Sequence, residues 1–122
     1  MEVDRLAPGS HQLKVWAGNG GFGPKGGVHD GISVLGNRLF VNTLETNKVF
    51  TLPIEADGKA GAITEIKLDR AIHNPDGMRS FGKDSVLIVE GGGNGWLSRI
   101  KINGDSGQVT PLKQDYPDGQ FR

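Results

Sequence analysis

The sequence predicts an all-β protein assembled from repeated four-stranded units. Three observations carry that reading. Turn-forming residues alternate with short apolar runs, an Asp-Gly marker recurs at a near-constant interval, and the segments between markers match element by element.

The turn signal comes first. The chain has 122 residues, enough for one domain with a modest core. Glycine supplies 20 of them and proline 6, so glycine is more than twice its usual share of roughly 7%. Val, Ile, Leu, Phe and Trp recur between these turn formers in short, regular bursts. That is the pattern of strands and turns, not of a disordered chain, and no segment shows helical periodicity.

The marker comes second. Asp-Gly stands at Asp30-Gly31, Asp76-Gly77 and Asp118-Gly119, at intervals of 46 and 42 residues. The last two copies extend to Pro75-Asp76-Gly77 and Pro117-Asp118-Gly119.

The element order comes third. After the first marker the sequence predicts a strand over Ile32–Leu35, a turn at Gly36-Asn37, a strand over Arg38–Asn42 and a polar loop over Thr43–Asn47. A strand over Lys48–Ile54, a turn from Asp57 to Gly61 and a strand over Ala62–Leu68 complete that unit. The second unit repeats the order: Met78–Phe81, a turn at Gly82–Asp84, Ser85–Glu90, a loop over Gly91–Gly95, Trp96–Ile102, a turn over Asn103–Gly107, and Gln108–Gln114. Gly and Asn at the turns supply the left-handed backbone that tight hairpins need. Val3–Leu6 and Leu13–Ala17 read as the last two strands of an earlier unit, and Asp118–Arg122 as the start of a later one. Four strands at a period of 40–50 residues is the signature of propeller blades. The expectation is therefore a single partial β-propeller of about two and a half blades. Residues 1–27 end one blade, 28–72 and 73–115 form full blades, and 116–122 open the next.

Composition narrows the partners. Fourteen basic residues balance 14 acidic ones, which leaves no basic patch for nucleic acid. No apolar run approaches the ~20 residues that span a bilayer, and the first ten residues do not read as a signal peptide, so no membrane partner is expected. Without cysteine, disulfides, thiolate zinc sites and thiol nucleophiles are excluded. None of this selects a compartment.

The stretch NPDGMRSFGKDSVLIVEGGGNGWLSRIKI (Asn74–Ile102) resembles the senescence-marker-protein/gluconolactonase family, also called regucalcin-like. His29–Gly61 looks like the preceding blade of such proteins, and the likeness runs over roughly residues 13 to 119. The resemblance implies a six-bladed propeller with a divalent cation, calcium or zinc, at the mouth of its channel, and hydrolysis of sugar lactones. It implies that Asp76 matches the family's metal-binding Asp. Asp30 matches a position where the family carries Asn, and it adds a negative charge there. The remaining ligands of the family's set have no counterpart in this chain, so the metal site is expected to be incomplete.

The residues themselves support a related chemistry. The first strand of a blade lines the axis, so an Asp just before it points toward the channel mouth. Asp30, Asp76 and, less directly, Asp118 would then share one opening. Converging carboxylates suit a hard cation such as Ca²⁺, which takes six to eight oxygens. Such a cation would polarise a lactone carbonyl, with Asp76 as general base. The competing reading is that Asp-Gly is turn chemistry alone, as at Asp57-Gly58. Loops opening on the same face would bring Asn42, Thr43, Glu90 and Asn94 toward a polyhydroxylated substrate.

Other motifs carry less. Gly18–Gly23 formally matches the dinucleotide fingerprint, but Pro24, Gly26 and Gly27 forbid the helix that must follow, so no organic cofactor is expected. His11, His29 and His73 lack zincin spacing, and no serine sits in a nucleophile elbow. Trp16 and Trp96 are expected to fill the core between blades. A lactonase is thus the leading expectation, and a non-catalytic binding platform the alternative. Open blade faces further predict that the chain either associates with copies of itself or is unstable alone.

Overall fold

A computed structural model describes residues 3–10, 12–18, 29–43, 46–91 and 95–113. Among these residues the chain is all-β and contains no helix, so none that is long and apolar enough to cross a membrane. The strands are β1 (Val3–Leu6), β2 (Leu13–Ala17), β3 (His29–Leu35), β4 (Arg38–Thr43), β5 (Lys48–Pro53), β6 (Thr64–Glu65), β7 (Lys67–Leu68), β8 (Met78–Phe81), β9 (Ser85–Glu90), β10 (Trp96–Asn103) and β11 (Ser106–Lys113). They form three sheets, none closed on itself: β1-β2, β3-β4-β5-β6, and β7-β11-β10-β9-β8. All pairs are antiparallel except β7 with β11.

The second sheet is packed on both faces, and its sequence says why. Along β4 and β5 nearly every position is apolar or small, as in a strand covered on two sides. Leu39, Val41, Phe50 and Leu52 meet the first sheet through Ala17, Val3 and Trp16. Phe40 and Val49 point the other way and join Met78, Val86, Ile88, Ile100 and Val109 of the third sheet. The period-2 alternation of a strand therefore sorts one run of apolar residues into two cores.

Three expectations need adjustment. The strand predicted over Ala62–Leu68 is two pieces: β6 pairs with β5, and β7 pairs with β11 of the next sheet. Between them Ile66 is buried in the core shared by the two sheets, and its N–H donates to Val49 O at 2.8 Å. Burying Ile66 carries the chain from one sheet to its neighbour. Gly107 permits that crossing, because a Cβ there would lie 2.7 Å from the Ile100 side chain and 2.9 Å from that of Leu68. The turn expected over Asn103–Gly107 is also tighter, since β10 runs to Asn103 and β11 starts at Ser106. Finally, Asp30-Gly31 lies within β3, at a register irregularity between His29 and Ile32, whereas Asp76-Gly77 precedes β8 as predicted.

Candidate functional site

The two Asp-Gly markers meet through one side chain. Asn42, on β4, is completely buried. Its Oδ1 accepts the Gly31 N–H at 2.7 Å and its Nδ2 donates to Asp76 O at 2.8 Å. One amide thus spans from the first strand of the second sheet to the segment that leads into the third. Gly31 has to be glycine for this approach: a Cβ would sit 2.7 Å from Asn42 Nδ2 and 2.9 Å from Asp76 O.

The Asp76 backbone is clamped from its other side by β9. Its N–H donates to Val89 O at 2.8 Å, and Val89 N–H returns to Gly77 O at 3.1 Å. The Asp76 carboxylate stands exposed off this fixed backbone. An open groove runs alongside, lined by Gly31, Ile32, Ser33, Gly77, Met78 and Arg79.

Upstream, the segment that delivers Asp76 is anchored by Glu90. This carboxylate is 1% exposed and fully engaged. Arg70 reaches it with both terminal nitrogens, at 3.0 Å to Oε1 and 2.8 Å to Oε2. Ser98 Oγ donates to Oε2 at 2.5 Å and His73 N–H to Oε1 at 2.9 Å. Burial pushes the Glu90 carboxyl up, but the bonds from Arg70, Ser98 and His73 outweigh it and hold the group below the ordinary carboxylate range. Arg70 is raised in turn, first by its bond to Glu90. Trp96 lies under the Arg70 guanidinium at 5.6 Å and edge-on to His73 at 6.2 Å. Two further bonds complete the anchorage: Gly91 N–H to His73 O at 2.7 Å and Asn74 N–H to Asn47 Oδ1 at 3.2 Å.

The sequence-predicted residues therefore separate. Asp76 faces solvent. Asn42 and Glu90 are interior, with their polar atoms committed to the protein itself. The backbone at residue 30 adjoins the Asn42 bridge, while the Asp30 side chain, Asn94, Asp118 and His11 lie outside the described residues. Asp57 behaves as turn chemistry, its Oδ1 accepting the Lys59 N–H at 3.0 Å. Trp16 packs against the core between the first two sheets and donates to Gly58 O at 2.7 Å. Trp96 instead belongs to the polar cluster around Arg70. Among the described residues no three His, Asp or Glu side chains gather to hold a metal ion.

Arg70 and Ser98 were not singled out from the sequence. The usable signal was Glu90 itself. In Ser85–Glu90 it shares the alternation of Val86 and Ile88, and a carboxylate on a core face demands a cationic partner.

No protein-family model, curated protein or solved structure matches this chain.

Proposed function

We propose that the sheets are successive blades of a β-propeller of the gluconolactonase type, and that Asp76 and Asp30 line a channel mouth where a divalent cation and a sugar lactone bind. One observation carries this reading: the Asn42 amide ties the Asp30-Gly31 and Asp76-Gly77 segments of neighbouring sheets together. Two acidic positions from different units thereby adjoin one groove.

An exposed carboxylate on a clamped backbone suits a hard cation as part of a larger oxygen set. Asp76 and Asp30 are the residues that would hold it. The cation would supply polarisation of the lactone carbonyl. On this reading Asp76 would accept a proton from water as the water oxygen bonds to the lactone carbonyl carbon, and return it to the ring oxygen as the ring C–O bond breaks, leaving a hydroxy acid.

Calcium titration calorimetry on the chain and on Asp76→Asn tests the assignment. We expect the substitution to weaken binding by more than about tenfold, the scale reached even by residues one step removed from a metal. Equal affinity in both proteins would sink the cation site. Hydrolysis of gluconolactone, lost on adding a chelator, is the matching activity readout.

A second reading, a binding platform without turnover, is favoured by a specific observation. Asn42 and Glu90 are both consumed in internal bonds, leaving Asp76 as the described member of the predicted set that faces solvent. Cation and sugar-lactone binding with no hydrolysis would select it.

A further inference from the structure

The groove beside Asp76 has a second polar end. It follows β3 and β8, the first strands of the second and third sheets, which pack side by side. At one end it is lined by Gly31 and Gly77, the chain neighbours of Asp30 and Asp76. Farther along the same two strands it is lined by Ser33, Arg79 and Ser80. Arg79 stands three residues past Asp76, so about 10 Å of extended chain separates them.

Both donors at this far end are uncommitted. Arg38, Arg70 and Arg99 each hold a carboxylate, whereas Arg79 is exposed and has no acidic partner among the described residues. Among the described residues that line the groove, it is the charged one. Ser33 is 9% exposed, yet its hydroxyl makes no hydrogen bond among the described residues. The other buried polar side chains, Asn42, Thr43, Thr51, Ser85, Glu90 and Ser98, are all bonded within the protein. A buried hydroxyl left without a protein partner calls for one from outside. A free guanidinium and a free hydroxyl along one groove are the donor set that recognises a phosphate or a carboxylate.

We propose that the substrate is an anionic sugar lactone, one that carries a phosphate or carboxylate on the carbon farthest from its ring carbonyl. Such a ligand presupposes the cation and lactone site proposed above. Its carbonyl end lies at Asp76, and its anionic end is held by Arg79 and Ser33. A neutral lactone leaves both donors without a partner. An anionic one pairs them, and the planar guanidinium fork fits two oxygens of the same group.

Titration calorimetry in the presence of calcium tests this with three stable open-chain acids: gluconate, its terminal phosphate ester, and glucarate, which has a carboxylate at each end. We expect the ligands with an anionic far end to bind more than about tenfold tighter than gluconate, the scale of one hydrogen-bonded charge. Arg79→Gln should erase that advantage and Ser33→Ala should reduce it. Arg79 is exposed and Ser33→Ala removes an unbonded hydroxyl, so both variants should fold, which an unchanged far-UV circular dichroism spectrum verifies. An advantage for the phosphate ester or for glucarate alone supports the site and assigns it to that group. Gluconate binding with no advantage for either ligand overturns the anionic class and leaves the cation site standing. No binding of any of the three overturns both. An advantage that survives in Arg79→Gln also overturns the assignment, because the far charge is then read elsewhere.

Discussion

At the scale of single residues, Asn42 does what no apolar residue can. It lies on the β4 face that also carries Phe40, where a hydrocarbon would pack as well, yet it satisfies a buried N–H and a carbonyl from two different sheets. Replacing it with leucine keeps the branched shape and orphans both groups. Each such loss costs about 1–3 kcal/mol, so we expect Asn42→Leu to lower stability by about 3 kcal/mol in urea unfolding. A change within about 0.5 kcal/mol, typical of a neutral surface substitution, would show that the bridge does not form. The sequence placed Asn42 correctly at the end of a strand beside a polar loop. It did not reveal that the side chain turns inward, because an Asn at a strand end has the same local signature whether it meets a ligand or a neighbouring backbone. The partner that decides the matter, Asp76 O, lies 34 residues away.

At the scale of elements, the segment from Arg70 to Gly77 has no regular structure and owes its shape to the bonds that pin it. Glu90 supplies three of them, two from Arg70 and one from His73. Because its carboxyl is depressed in the folded protein, the unfolded chain takes up its proton first as pH falls. The stabilisation is fully present above the ordinary glutamate value of about 4.3 and is lost as pH drops from there through the lower folded value. We expect the thermal midpoint to fall steeply over that acidic window. Glu90→Gln should flatten that part of the profile and cost about 3–5 kcal/mol at neutral pH, the scale for removing one partner of a buried pair. An unaltered acid limb in the variant would assign the acid sensitivity elsewhere. Strand positions were legible because Gly and Asn punctuate them; Ser85–Glu90 was read to the residue. The division of the expected Ala62–Leu68 strand was not legible, because alternation reports which face is buried but not which sheet supplies the hydrogen-bonding partner.

At the scale of the whole molecule, burial is uneven. β4 and β5 of the second sheet are covered on both faces, and the third sheet on one. Amides that open only with extensive unfolding exchange slowest, so we expect those of Phe40, Val41 and Leu52 to be the most protected in hydrogen exchange. Stronger protection of Leu87 and Leu97 than of these residues would mean that the packing hierarchy is different. The repeat itself was legible from the spacing of Asp-Gly. The number of sheets follows from it, but the rotation between successive sheets does not, since no single unit encodes it.

The crossing at Ile66 bears on how such a chain can lengthen. β6 belongs to the second sheet and β7 to the third, although Ile66 alone separates them in the chain. The second and third sheets therefore overlap like courses of brick, their vertical joint bridged by the pairing of β7 with β11. Insert one whole period anywhere in such a wall and the new course is tied at both ends by joints of the existing kind. A tandem duplication would thus extend the stack without inventing a contact, and the point at which the period is cut would hardly matter.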